Sequence, residues 1–330
     1  MKIINIQTEI KHIPLKTPFI TALRRVDTIE FVRVSVILDN GLNAFGEAPA
    51  TRAVTGEDIE SILSSIKSIK ESLISLTPSE AITALHLSSI GSSAKAALDM
   101  AFVSLISDVK IKEMIKLQTD ITISLKESQE MLADAKEALK NGMKILKLKF
   151  GADINHAIEV TKKLSQLDAK LIIDANQAWS LDDSLKYIDA VKDVGVELIE
   201  QPVGASDLDA LKSITNYSHI PILADESVFT LQDAMRVIES KSADMINIKL
   251  MKTGGVTKAV EILEYARQKD VKCMLGSMLE GPISINAALY LAMSYSDVIE
   301  YIDLDSPLLY KEPSNELEFE FNGCEISLKK

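Results

Sequence analysis

Three carboxylates recur at near-equal intervals in the second half of the chain. They stand in Asp174-Ala175-Asn176-Gln177, in Glu200-Gln201-Pro202 and in Asp225-Glu226-Ser227. Each lies at the end of a short apolar run: Ala169–Ile173, Glu197–Glu200 and Ile220–Leu223. A single acid at a strand end commonly caps the next helix. Three on consecutive strands, about 4.8 Å apart, would repel one another unless a cation sat between them. Hard oxygen donors without His or Cys among them favour Mg2+.

Lysines flank that set. Lys147 and Lys149 share the run Ile145–Phe150 at i, i+2 and so face the same side of a strand. Inside an apolar strand two amines are costly unless they are used or paired. Lys249 ends the run Met245–Lys249. Two amines on opposite sides of a bound substrate could take a proton from one face of a carbon and return it on the other. That is racemisation or epimerisation. Burial and neighbouring cations are expected to lower a lysine's pKa towards that of a competent base. A C–H beside a carboxylate is poorly acidic, so positive charge must meet the charge that develops, and Mg2+ with Lys147 would supply it.

Strands must present these groups together. Eight apolar runs end at or near Thr122, Lys149, Asp174, Glu200, Asp225, Lys249, Ser277 and Asp303, with amphipathic stretches between them. The period of roughly 26 residues marks a βα repeat. Eight such parallel strands close into a (β/α)8 barrel of modified TIM type, whose active site lies at the C-terminal strand ends. The preceding stretch reads differently. Lys2–His12 and Thr28–Leu38 read as strands, Asp39-Asn40-Gly41 as a hairpin turn, and Leu42–Ala48 as the return strand. Lys16–Asp27, with Arg24 and Arg25, reads as a loop. Ile59, Ile62, Ile66, Ile69 and Leu73 recur at helical spacing, Thr77-Pro78 starts another helix, and Ala94–Ser107 reads as a buried one. After the barrel, Glu316–Phe321, Asn322-Gly323 and Glu325–Leu328 read as a hairpin expected to rejoin the N-terminal sheet. The expected division is an α+β capping domain over 1–115, the barrel over 116–305, and a C-terminal segment, 306–330, that returns to the cap.

Composition narrows the class of function. The 330 residues are 47% hydrophobic and 25% charged, with a net charge of −12, which disfavours nucleic acid or an anionic membrane as a partner. Cys273 and Cys324 are too few for a disulfide framework, so a reduced, cytoplasmic protein is expected. No apolar run approaches a membrane span, and the first residues show no leader-like stretch. His12, His86, His156 and His219 fall at no common strand end, which argues against a histidine metal site or a Ser-His triad. No periodic exposed seam marks an interface, which leaves a homo-oligomer open.

With these motifs in place, the chain resembles the dipeptide epimerases of the enolase superfamily, in its muconate-lactonizing subgroup. The likeness rests on Lys147-Leu148-Lys149, Asp174–Trp179, Glu200-Gln201-Pro202, Ala224–Ser227 and Asn247–Gly255, and extends over nearly the whole chain. The resemblance implies an enolase-type barrel with an α+β cap and one Mg2+ held by Asp174, Glu200 and Asp225. It implies 1,1-proton transfer by Lys149 and Lys249 at the α-carbon of a dipeptide's C-terminal residue. Lys147 would assist at the substrate carboxylate, with Asn176 and Glu226 supporting the metal ligands. Asp303-Leu304-Asp305 matches the pair that holds the substrate's α-ammonium. Arg24, in Thr21-Ala22-Leu23-Arg24, resembles the arginine that receives a glutamate side chain, which points to L-Ala-D/L-Glu. Thr122 and Ser277-Met278-Leu279 match substrate contacts, and Glu47–Thr55 would form part of a lid. N-succinylamino acid racemases, cycloisomerases and o-succinylbenzoate synthases share the scaffold, but the last two have no ammonium to hold. Glu280-Gly281-Pro282 departs from the small polar residues expected after the seventh strand, and the tail is short. The family implies a role in cell-wall peptide recycling.

Overall fold

The computed structural model describes residues 1–21, 24–106 and 116–329. The first part pairs three antiparallel strands, β1 (Ile3–Ile20), β2 (Arg25–Leu38) and β3 (Asn43–Pro49), in that order. Val32, Val34, Val36 and Leu38 alternate into the core along β2. The expected loop over 16–27 is much shorter than its composition suggested. Beyond a register shift between Pro14 and Phe19, β1 resumes pairing with Phe19↔Val26 and Ile20↔Arg25. Pro14 and Pro18 are tolerated because β1 is an edge strand, where a missing N–H breaks no ladder. Ala22 and Leu23 lie outside the described residues.

Four helices follow: α1 (Arg52–Thr55), α2 (Ile59–Leu73), α3 (Pro78–Leu87) and α4 (Ser92–Ile106). Asp58 and Thr77 close capping boxes that start α2 and α3. Ile62, Ile66, Ile69 and Leu73 turn one face of α2 inward. α4 is buried along most of its length, as its alanine-rich sequence requires, though Ser107 lies outside the described residues.

A two-residue strand, β4 (Leu117–Gln118), leads into the barrel. The repeat runs β5 (Ile121–Ile123), α5 (Ser128–Lys140), β6 (Ile145–Lys149), α6 (Ile154–Leu164), β7 (Lys170–Asp174) and α7 (Leu181–Ala190). It continues through β8 (Val196–Glu200), α8 (Leu208–Tyr217), β9 (Ile222–Ala224), α9 (Leu231–Ser240) and β10 (Met245–Lys249). A short α10 (Leu250–Thr253) precedes α11 (Val256–Gln268), β11 (Cys273–Gly276), α12 (Pro282–Ser294) and β12 (Ile299–Asp303). Strands β5 to β12 form one eight-stranded sheet in chain order. Its two outer strands meet where Asp120 N–H donates to Ile302 O at 3.1 Å.

Period-two alternation layers the interior. Ile145, Ile172, Leu198, Leu223, Met245 and Met274 fill the lower end, with Tyr301 packed against them. Each such fully buried aliphatic side chain contributes roughly 1.5–3 kcal/mol. One step further along these strands stand Lys147, Asp174, Glu200, Asp225, Asn247 and Asp303, all buried. The interior therefore turns from apolar to charged within one side-chain layer.

The chain ends with α13 (Ser306–Leu309), β13 (Phe319–Asn322) and β14 (Glu325–Leu328). The expected hairpin is present, but it does not join the β1–β3 sheet. β14 pairs instead with β4, through Glu325↔Gln118 and Ile326↔Leu117. Lys311 N–H still bonds Pro14 O and Glu316 pairs with Arg33, but Glu318 N–H already bonds Asn286 on α12. The chain has left the cap before the hairpin begins, and Phe319 and Ile326 are buried where it lands. Both cysteines are buried and free. Among the described residues, no helix is long and apolar enough to cross a membrane.

Candidate active site

The ends of the barrel strands open into one cavity beneath the cap. Thr122, Lys149, Asn176, Asp225, Glu226, Lys249, Ser277, Met278, Leu279, Asp303 and Asp305 line it from the barrel. Phe19, Thr21, Arg24, Ala53 and Val54 line it from the cap. Of the residues expected to act in catalysis, hold the metal or contact the substrate, Lys147, Asp174 and Glu200 are not on its wall; they are fully buried.

Two anchors bring the cap segments into position. Ile20 N–H donates to Ser124 Oγ at 3.1 Å, and Leu125 N–H to Ile20 O at 3.1 Å, which ties the loop before Arg24 to β5. On β3, the buried Glu47 accepts from Ile283 N–H at 2.9 Å and Ser284 N–H at 3.3 Å, at the start of α12, and pairs with Arg33 at 2.6 Å. A carboxylate at a helix N-terminus satisfies orphan N–H groups and meets the helix dipole favourably.

Backbone strain sets the acidic turns. Asn176 and Gln177 after β7, and Gln201 after β8, have φ of 45°, 67° and 37°. Such left-handed non-glycine residues cost on the order of 1–3 kcal/mol each. The Gln201 side chain holds its turn in place. Its Oε1 accepts from Asp225 N–H at 2.9 Å and Ser227 N–H at 3.1 Å, while its Nε2 donates to Val203 O and Ser227 Oγ. Gly276 serves the same end on β11, since a Cβ there would come within 3.0 Å of Lys249 Cε.

Buried charges are matched in opposite pairs. Lys149 Nζ lies 2.5 Å from Asp174, and Lys249 Nζ 2.6 Å from Asp225. Lys147 Nζ lies 2.5 Å from Asp303, 2.7 Å from Glu200 and 3.5 Å from Asp174. Lys252 Nζ reaches Asp225 Oδ1 at 2.6 Å, Asp225 O at 2.5 Å and Asn247 O at 2.8 Å. Asn247 Nδ2 donates to Glu200 Oε1 at 2.9 Å. Burial raises the Asp225 carboxyl, but Lys249 and Lys252 outweigh it and hold the group far below the carboxylate range. Burial pushes Glu200 up to about 7, with the charge of Asp174 adding to it. Glu226 also rises to about 7, from burial and the charge of Asp225.

One expectation is overturned here. Burial does act to lower Lys249, but the carboxylates of Asp225 and Glu200 outweigh it, so its pKa is raised. Lys147 is raised in the same way, chiefly by Asp303 and Glu200 against its burial. Among these amines burial prevails at Lys252, which is lowered.

The donor set fits a divalent cation. Asp174, Glu200 and Asp225 are oxygen donors on neighbouring strands, with Asp174 and Glu200 in direct register. All three are buried, where carboxylates require countercharge. Lysine ammoniums provide it here: Lys149 and Lys147 at Asp174, Lys147 at Glu200, and Lys249 and Lys252 at Asp225. Among the described residues, the three acids whose oxygens converge within 4.8 Å are Asp120, Asp303 and Asp305.

Residues 130–329 match the family model described as enolase C-terminal domain-like. The L-amino acid-D/L-Glu epimerase of Sulfurimonas denitrificans is 57% identical, over 99% of both chains. The chain belongs to the dipeptide epimerases of the enolase superfamily. Solved structures agree. The substrate-liganded L-Ala-D/L-Glu epimerase of Bacillus subtilis superposes with a TM-score of 0.91 at 37% identity, over 100% of this chain and 97% of that one. The dipeptide epimerase of Enterococcus faecalis, complexed with Mg and L-Leu-L-Tyr, gives 0.92 at 32% identity, over 100% and 98%.

Within this enolase-superfamily site, several side chains, among them Lys252, Asn247, Gln201 and Asp120, have no role legible in the sequence. Lys252 and Asn247 stand inside the stretch Asn247–Gly255, and their function as props for Asp225 and Glu200 emerges only from the contacts. Asp120 lies two residues before Thr122, so the alternation that turns Thr122 inward turns Asp120 inward as well.

Proposed function

We propose that this protein is a cytoplasmic, Mg2+-dependent dipeptide epimerase that inverts the α-carbon of the C-terminal residue, acting on L-Ala-D/L-Glu. The observation that carries the reading is the meeting of Lys149 and Lys249 in one cavity with Asp303, Asp305 and Arg24. Lys149 ends β6 and Lys249 ends β10, with three strands between them in the sheet. One amine takes the α-proton and the other delivers a proton to the opposite face. Asp174, Glu200 and Asp225 hold Mg2+, which supplies positive charge against the charge that builds on the substrate carboxylate. Lys147 adds its own charge beside Glu200 and Asp174.

The remaining wall residues read out the substrate. Asp303 and Asp305 accept from the α-ammonium. Arg24 donates to the glutamate side chain. Burial lowers the pKa of Arg24, and it has no ion-pair partner among the described residues, so an incoming carboxylate is its natural complement. The relative from Sulfurimonas denitrificans, an L-amino acid-D/L-Glu epimerase, supports the same choice. Asn176 and Glu226 support the metal ligands. Thr122, Ser277, Met278 and Leu279 shape the pocket, and Phe19, Ala53 and Val54 exclude water. The cap over 1–115 serves as the roof of a barrel over 116–305; of the segment 306–330, the stretch before the hairpin bonds to that cap and the hairpin pairs with β4. Recycling of cell-wall peptide is the setting we propose for this activity.

The test is proton NMR of L-Ala-L-Glu with the protein and Mg2+ in D2O. The expected result is loss of the glutamate α-proton signal with growth of the L,D epimer. Retention of that signal would overturn the assignment.

A further inference from the structure

Asp120 is fully buried on the seam between β5 and β12, where its N–H joins the outer strands. Its carboxyl shares a small volume with Asp303 and Asp305, one oxygen from each lying within 4.8 Å of the others. Those two acids already have partners. Asp303 Oδ2 accepts from Lys147 at 2.5 Å, and Asp305 Oδ2 from Thr122 N–H at 2.8 Å. Neither oxygen of Asp120 meets a donor among the described residues. Its close polar neighbours are therefore the two carboxylates themselves, within 4.8 Å. Two ionised carboxylates are both acceptors and repel at this range, and with no donor bonded to Asp120 among the described residues a proton on its carboxyl relieves that repulsion.

We infer that Asp120 is an un-ionised carboxylic acid whose hydroxyl donates to Asp303 and fixes the carboxylate that receives the substrate's α-ammonium. This rests on the dipeptide reading above. The groups that face Asp120 are Asp303 and Asp305 from the end of β12 and the turn beyond it, and Lys147 from β6. Burial, then the charge of Asp303, pushes the Asp120 carboxyl well above its ordinary value; Lys147 opposes them and Asp305 adds to them. Lys147 is a weak counterweight because Asp303 and Glu200 already share its charge. The bond leaves Asp303 ionised between two donors, Lys147 on one side and Asp120 on the other. Asp303 and Asp305 are on the cavity wall and Asp120 is behind them, so Asp120 is a positioning residue.

The proposal separates a proton from a charge. In Asp120→Asn the amide NH2 takes the place of the hydroxyl as donor, whereas Asp120→Ala leaves Asp303 without it. With the Mg2+-loaded enzyme and L-Ala-L-Glu, Asp120→Ala should raise KM by about tenfold or more, the cost of losing a bond to a charged group, with kcat changed less. Asp120→Asn should rescue most of that loss. Infrared difference spectra of wild type against Asp120→Asn, taken at pH 8 without dipeptide, should show the carbonyl stretch of an un-ionised carboxylic acid in wild type only. If Asn is as damaging as Ala, or the spectra carry no such stretch, the inference is overturned, because Asp120 is then a third anion. If Asp120→Ala does not fold, the infrared comparison decides alone. If the stretch is present but wild type turns over no dipeptide, the ammonium role falls with the reading of the site, and the proton assignment stands.

Discussion

Replacing Arg24 with methionine separates substrate recognition from structural support. The Arg24 guanidinium lines the cavity from the cap, and among the described residues it forms no ion pair. Its burial works against its charged form. In the proposed complex it meets the side-chain carboxylate of the substrate's glutamate. A hydrogen bond to a charged group contributes about 1.5–3 kcal/mol. At about 1.4 kcal/mol per decade, Arg24→Met should lower kcat/KM for L-Ala-L-Glu by roughly 10- to 150-fold. For L-Ala-L-Leu, which has no carboxylate there, kcat/KM should hold or rise, because a methionine suits an apolar side chain. The melting temperature should stay level or increase, since an unpaired cation is removed from a half-buried place. Parallel rate measurements on the two dipeptides, with a thermal melt of each protein, make the comparison. An equal fall for both substrates would mean that Arg24 shapes the loop rather than the specificity. No fall for L-Ala-L-Glu would refute the assignment outright.

Two further substitutions probe the buried charges. Lys252→Met removes a partner of Asp225 and leaves a buried carboxylate short of countercharge, which should cost about 3–5 kcal/mol in urea unfolding and weaken Mg2+ binding by calorimetry. Unchanged stability would show that Lys249 alone suffices for Asp225. Glu280→Gln tests a group that burial pushes up from 4.5 to about 7. Between those values the folded chain keeps a proton that the unfolded chain releases, so wild-type stability falls as pH rises through that window. The full effect is about 3 kcal/mol, and Glu280→Gln should remove it, leaving the variant more stable than wild type at pH 8. Parallel pH–stability curves for the two proteins would contradict this. The carboxyl of Glu280 accepts from Met278 N–H at 2.8 Å and pairs with Ser284, so it also fixes the Met278 and Leu279 wall.

Much of this architecture was legible in the sequence because two simple periods carry it. The βα repeat marked eight strand ends, and alternation along each strand selected the inward residues, so Lys147, Lys149, Asp174, Glu200 and Lys249 could be named without coordinates. What escaped depends on distant neighbours. The raised pKa of Lys249 follows from Asp225 at 2.6 Å, on an adjacent strand but 24 residues earlier. The extension of β1 past two prolines follows from its edge position, which composition does not reveal. The tail hairpin pairs with β4 because the chain has crossed α12 by Glu318, and Asp120 matters only once the barrel seam brings it beside Asp303. Charge-bearing types at the right period predicted where groups stand; their protonation required knowing what stands next to them.

The central claim is that Lys149 and Lys249 act on opposite faces of one carbon. It is tested most directly by following both epimers, L-Ala-L-Glu and L-Ala-D-Glu, by NMR in D2O with the Mg2+-loaded Lys149→Ala and Lys249→Ala proteins. Each variant should interconvert neither epimer, and each should exchange the α-proton of a different one, the epimer whose proton faces the remaining lysine. Interconversion by either variant, or exchange of the same epimer by both, would contradict the two-base account.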